Sequence, residues 1–211
     1  MRNILAAIAC VIISFIAQAQ PAGYKQLTDL AAFKEKFAAA TQKTMSIKSD
    51  FQQEKNLSML SEKIVSKGKF WFKKENLVRM EYITPFQYLM ILNKDKVYTK
   101  DGQKENKVST SSNKIFRQIN DIMIDCVKGT VLNNNSFSVK VFEGGQLYLL
   151  ELTPVDKTLK GFFKAIHLFV DKKEYGVSKI EMQELSGDNT VITFVNKEVN
   201  VSIADALFSI H

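Results

Sequence analysis

The stretch from Gly68 to Pro85, G-K-F-W-F-K-K-E-N-L-V-R-M-E-Y-I-T-P, limits what this chain can fold into more than any other. It reads as two antiparallel strands joined across Lys73–Asn76. Phe70 and Phe72 share one face of the first strand and Trp71 stands on the other. In the second, Val78, Met80 and Tyr82 line one face, opposite Leu77, Arg79, Glu81 and Ile83. The chain turns at Thr84-Pro85 and continues as F-Q-Y-L-M-I-L, almost wholly apolar. A sheet with one wet face alternates apolar with polar residues. Here both faces are apolar in places, so either a helix packs over this part of the sheet or one face lines a cavity.

The same period of two recurs along most of the chain. Ile47, Ser49, Phe51 and Gln53 alternate with Lys48, Asp50, Gln52 and Glu54. Val97 to Lys100 ends at an Asp101-Gly102 turn. Phe137 to Phe142 and Gln146 to Thr153 read as a hairpin about Gly144-Gly145. Lys164 to Asp171, Gly176 to Leu185 and Asn189 to Asn196 follow, with a last short strand near Val199 to Ile203. Two stretches switch to helical spacing. Leu27, Leu30, Phe33, Phe37 and Ala40 form a stripe on a helix capped by Thr28 or Asp29 and running to about Thr44. Ile115, Phe116, Ile119, Ile122, Met123 and Cys126 do the same from Ser111 to about Val127, where Gly129 stops the helix. About eleven strands and two helices in a single domain give an α+β fold built on a long, curled antiparallel sheet.

The first 19 residues read as a cleaved secretory signal peptide. Arg2 is followed by an apolar run from Ile4 to Ile16 and an Ala17-Gln18-Ala19 cleavage site. Cleavage leaves Cys126 as the one cysteine, so no internal disulfide forms and about 190 residues stand on their core alone. The full chain carries a formal net charge of +7, mostly from scattered lysine. That charge suits a solvated basic surface or attraction to an anionic membrane. An exported chain without a basic, aromatic-laced run is not read as a nucleic-acid binder.

Catalytic equipment is thin. His167 and His211 are far apart, so no histidine cluster exists for a metal or for acid–base work. No G-x-S-x-G, H-E-x-x-H or G-x-x-x-x-G-K-[ST] motif is present. Cys126 sits on the apolar stripe of its helix, the setting of a packed thiol. The chain is read as a protein without enzymatic activity, metal or cofactor.

Two regions carry a resemblance. The first is Gly68 to Pro85, with a glycine, an aromatic strand, a basic turn and then R-x-x-Y-x-x-P. The second is Gly187-Asp188-Asn189-Thr190 followed by Ile192, Phe194, Asn196, Asn200, Ile203 and Phe208, with Leu152-Thr153-Pro154 between the two. In this order, behind a signal peptide, they make the chain resemble the periplasmic outer-membrane lipoprotein carriers, the LolA-like proteins. The resemblance implies an incomplete antiparallel β-barrel, its open side closed by a helical lid that admits lipoprotein acyl chains.

On that reading Phe70, Phe72, Val78, Met80, Tyr82, Tyr88 and Met90 are the candidate cavity wall. Ile115, Phe116, Ile119, Ile122 and Met123 belong to the candidate lid, with helix 28–44 alongside. In the family an arginine after the aromatic strand hydrogen-bonds lid carbonyls, and the matching position here is Lys74, a rotatable point charge and not a rigid fork. The implied partners are lipoprotein acyl chains, a lipoprotein-releasing ABC transporter of the inner membrane and an outer-membrane acceptor, served by a periplasmic monomer. Two other readings stay open: a carrier of another lipid, glycolipid or lipid-linked pigment, and a cargo-free sensor or scaffold with a filled core.

Overall fold

The computed structural model describes residues 21–60, 62–74, 76–109, 122 and 124–210. The expected signal peptide at 1–19 lies outside the described residues, as do Ile115, Phe116, Ile119 and Met123 of the expected lid.

Twelve strands among the described residues form one antiparallel sheet. In chain order they are β1 (Lys25–Gln26), β2 (Ser46–Asn56), β3 (Lys63–Lys73), β4 (Leu77–Thr84), β5 (Tyr88–Asn93) and β6 (Lys96–Asp101). There follow β7 (Lys104–Ser109), β8 (Phe137–Glu143), β9 (Leu147–Pro154), β10 (Phe163–Asp171), β11 (Val177–Glu184) and β12 (Asn189–Val199). The spatial order is β1-β8-β9-β10-β11-β12-β2-β3-β4-β5-β6-β7, so β1 and β7 are the two edges and the barrel stays open. The long pairing of β2 with β12 joins the two halves of the chain, from Asn189 opposite Asn56 to Val199 opposite Ile47.

Ten of the expected strands are present within a residue or two at most ends. The expected strand at Val199 to Ile203 is not a separate element. β12 runs to Val199, and the chain then leaves the sheet for a 3-10 turn at Asp205–Phe208. Two strands were not foreseen, β1 and β7. Lys104–Ser109 is polar at nearly every position, so no alternation marks it, and its partner β6 holds it in register through the backbone ladder, with Lys100 also paired to Glu105 at 2.8 Å.

Helix α1 (Ala31–Lys43) starts where Asp29 Oδ1 accepts from the Ala31 amide at 2.9 Å. It lays Phe33 and Phe37 on β8, β9 and β10, against Val141, Leu150, Leu152, Ile166 and Leu168, with Ile122 and Cys126 in the same apolar group. Residues 124–128 are helical and end at Gly129, whose φ of +73° suits a residue without a side chain. A Cβ there would lie 2.2 Å from Thr41 Oγ1, so the glycine also lets this turn close onto α1.

Both faces of the Gly68–Pro85 strands are covered. On the concave side Phe70, Phe72, Val78 and Met80 are buried with Phe51, Leu92 and Val97 beneath Ile124. On the convex side Trp71, Leu77, Ile91 and Tyr98 pack under Ile203 and Phe208 of the segment after β12. Arg79 belongs to this outer face, as its place in the alternation requires. Its Nη1 donates to the Leu207 carbonyl at 3.1 Å, Nη2 pairs with Glu81 at 2.8 Å, and the guanidinium lies 5.7 Å from the Trp71 ring centre.

Candidate functional site

A cavity of about 310 Å³ lies between the concave sheet and the C-terminal turn of α1. Its floor comes from Ile47 and Ser49 of β2, Phe70 of β3, Val177 and Ile180 of β11 and Phe194 of β12. Its roof comes from Ala40 and Thr41 of α1 with Cys126 and Val127, and Tyr175 closes one flank. The lining is mainly apolar. Burial pushes the Cys126 thiol well above its usual range, with Asp125 adding to the effect, so this sulfur is a neutral wall group and not a nucleophile.

Polar residues gather at one edge of the cavity, where Lys43, Glu174, Lys197 and Asn200 stand. Lys197 is held by Glu174 at 3.2 Å and lies across Gly176, where a Cβ would come within 2.7 Å of its Nζ. Strict alternation along β12 would bring Asn196 to the cavity after Ile192 and Phe194. The register shifts between Val195 and Glu198 instead, with Asn196 at φ 53°, and Lys197 takes the inward place. The Asn196 amide goes outward to Asp50 Oδ2 at 2.9 Å.

Two side chains tie down the end of α1 that roofs the cavity. The Lys74 ammonium donates to the Gln42 carbonyl at 2.7 Å. The Asn200 amide donates to the Lys43 carbonyl at 3.1 Å, while its Oδ1 accepts from the Met45 amide at 2.7 Å. Those helix-end carbonyls have no partner within the helix, and a cation beside them also opposes the negative end of the helix dipole. Lys74 therefore does bond a helix carbonyl, but the helix is α1 and not the 124–128 segment. Loss of either tether is expected to loosen this end. In Lys74→Ala and Asn200→Ala, hydrogen exchange of the amides at 40–44 should quicken by roughly five- to tenfold, about 1 kcal/mol for each tether removed.

The seven residues singled out as a cavity wall separate in space. Phe70 lines the cavity. Phe72, Val78 and Met80 lie on the same concave side, packed beneath Ile124, with Met90 half-buried against them. Tyr82 and Tyr88 line a second hollow of about 370 Å³ at the far ends of β4 and β5, together with Arg79 and Glu81. Burial there pushes the Tyr82 phenol up to about 12, and its hydroxyl donates to Gln53 Oε1 at 2.9 Å. Ile122, the lid residue that is described, is buried in the group around Phe33 and Phe37. Tyr175, Ile180, Phe194 and Lys197 were not foreseen as lining. Phe194 and Asn200 carried a signal, since both fall in the tail pattern that begins at Gly187.

Among the described residues no group of three or more histidine, cysteine, aspartate or glutamate side chains is placed to hold a metal ion. Among the same residues no helix is long and apolar enough to cross a membrane.

Comparison with known proteins places this architecture. The family model described as outer membrane lipoprotein carrier protein LolA matches residues 42–211. No curated protein matches the chain. Among solved structures, a LolA superfamily protein from Nitrosomonas europaea is similar at 11% identity and a TM-score of 0.44, covering 84% of this chain and 96% of that one. An uncharacterized conserved protein from Thermus thermophilus is similar at 8% identity and a TM-score of 0.52, covering 85% of this chain and 93% of that one. A structure of the MucA/MucB complex of Pseudomonas aeruginosa is similar at 12% identity and a TM-score of 0.50, with 85% of this chain and 60% of that one covered.

Proposed function

Because the chain belongs to the LolA family, we propose that it is a periplasmic carrier that shields lipoprotein acyl chains and ferries them from the inner to the outer membrane. The observation that carries this reading is the mainly apolar hollow between the concave sheet and the end of α1. Burying a 16-carbon chain is worth about 12 kcal/mol against water, at roughly 0.8 per methylene. A lipidated protein therefore does not cross an aqueous gap unaided. Bilayer and apolar cavity are similar environments for the chain, so transfer between them runs near balance and needs no nucleotide of the carrier's own.

In this account Phe70, Ile180 and Phe194 meet the acyl chain. Lys43, Lys197 and Asn200 stay at the edge with the polar part of the cargo. α1 and the helical segment ending at Gly129 act as the cover, with Lys74 and Asn200 as its latches. The packed residues Phe72, Val78 and Met80 join the wall if Ile124 moves away, which extends the hollow toward β4 and β5. The partners are an inner-membrane lipoprotein-releasing transporter and an outer-membrane acceptor. The protein is a carrier, not an enzyme.

Native mass spectrometry of the purified protein incubated with a triacylated lipopeptide tests the reading. The expected result is an added mass equal to one lipopeptide, absent with the deacylated peptide. An unchanged mass, with the fold intact by circular dichroism, would remove lipoprotein transport and favour another lipid or a cargo-free role.

A further inference from the structure

Eight of the eleven large apolar side chains exposed among the described residues fall at one end of the sheet. That end is where β2 turns into β3, β4 into β5 and β11 into β12, and where β10 begins. Met59 is 94% exposed on the first of these turns and Phe86 is 74% exposed on the second. Leu60 stands beside Met59, Leu185 on the β11–β12 turn, and Phe162 just before β10. Stranding several such groups in water is unfavourable, so a common occupant for them is implied.

The turns that carry them are tied together. The Ser58 amide and hydroxyl donate to Asp188 Oδ1 at 2.8 and 2.9 Å, and the same hydroxyl lies 3.1 Å from the Ser186 carbonyl. Those bonds hold the Asp188 carboxyl below its usual range. Gly187, at φ +92°, lets Ser58 approach, since a Cβ there would lie 3.2 Å from Ser58 Cβ. The Leu185 amide donates to the Phe162 carbonyl at 2.9 Å. Met59, Leu60, Leu185 and Phe162 are thus presented on a braced platform. The Gly187-Asp188 pair of the tail pattern is what braces it.

Charge selects the occupant. Four acids at this end are engaged: Glu54 by Lys63 at 2.7 Å, Glu184 by Lys55 at 4.0 Å, Asp188 by Ser58, and Asp156 by the amides of Thr158 and Leu159. Glu62 and Asp101 are exposed there and are outnumbered by exposed lysines. Lys67, Lys157 and Lys160 are exposed there. Apolar tips on separate turns, with lysines around them, suit insertion between lipids better than the continuous apolar patch at the core of a protein interface. We propose that this end of the sheet docks on a bilayer surface bearing anionic headgroups, Met59, Leu60, Phe86, Phe162 and Leu185 entering the interface. The turns at Glu174 and Asn200, where the cavity has its polar edge, lie at the opposite end of their strands, so docking and cargo binding are separate properties.

Co-sedimentation of the purified protein with phosphatidylglycerol-containing vesicles, and with vesicles of phosphatidylcholine alone, tests this. The expected result is binding to the anionic vesicles that weakens with added salt. Met59→Asp combined with Phe86→Asp should lower that affinity by about a hundredfold, from two apolar groups lost to the interface. Both side chains are exposed, so the variant should fold, and its uptake of a triacylated lipopeptide should match the parent's. Parent protein that ignores both vesicles, or a double variant that binds them as well as the parent, would overturn the proposal. Vesicle binding without lipopeptide uptake would instead leave docking standing and count against the carrier reading.

Discussion

Gly68→Ala is expected to destabilise the protein by at least about 3 kcal/mol, and to leave much of it unfolded at 37 °C. The reason is space and not backbone freedom. A Cβ on Gly68 would sit 2.1 Å from the Glu81 carbonyl oxygen and 2.7 Å from two atoms of the Phe51 ring. Gly68 faces Phe51 across the β2–β3 pairing and Tyr82 across β3–β4, next to the register shift between Lys67 and Gly68. The Phe51 ring meets Tyr82 edge-on at 4.8 Å between centroids, directly over the glycine. An added methyl must push the ring off Tyr82 or part β3 from β4, and both movements open the buried group around Phe70 and Met80. A urea titration followed by tryptophan fluorescence gives the midpoint shift, since Trp71 stands on β3 itself. A shift under about 1 kcal/mol would mean that the sheet gives more easily than its packing implies.

Ile180→Trp is the second large effect, and it falls on binding and not on stability. Ile180 is half-buried on β11 and lines the cavity floor opposite the end of α1. An indole grows into the 310 Å³ hollow and not into packed neighbours, so the melting temperature should move little. Lipopeptide affinity should fall by about a hundredfold or more, because the chain loses a few methylenes of buried length at about 0.8 kcal/mol each. Isothermal titration calorimetry with the triacylated lipopeptide measures it. Unchanged affinity in a folded variant would place the acyl chain elsewhere.

These two residues also show what was legible in the sequence. The strands were, because alternation survives wherever one face is buried, and even the doubly apolar strands were informative. On β9 Tyr148, Leu150 and Leu152 face the group under α1, while Leu147 and Leu149 face Phe142 and Phe169 on the other side. The polar edge strand β7 was not, since its pairing is carried mainly by backbone groups that every residue has.

The distinction between wall and packing was also illegible. Phe70 and Met80 have the same periodicity and the same character. Phe70 borders a hollow because Phe194, 5.2 Å away between ring centroids, continues the floor beneath the end of α1. Met80 is covered because Ile124 comes down on its group. Which residues end up under which helix is decided by contacts between segments far apart in the chain. The inward turn of Lys197 depends on one register shift in β12 that alternation alone could not reveal.

Lys74 was legible as a carbonyl donor, but its partner helix was not. The β3–β4 turn and the end of α1 meet through the backbone, with the Lys74 amide 2.8 Å from the Met45 carbonyl. That contact brings the ammonium to Gln42. Asn200 reaches the same helix end from just beyond β12, at a φ of 60° that asparagine tolerates better than most residues. The spacing of Asn200 in the tail pattern thus has a physical reason, the capping of α1.

The account stands on acyl chains lying beneath α1, and photo-crosslinking tests that most directly. A triacylated lipopeptide with a diazirine at the end of one acyl chain is bound to the protein, irradiated, and the attachment sites are read by peptide mass spectrometry. Attachment to Phe70, Ile180, Phe194 or Val127 is the predicted result. Attachment confined to the convex side, around Trp71 and Phe208, or none above the level of a deacylated control, would contradict it.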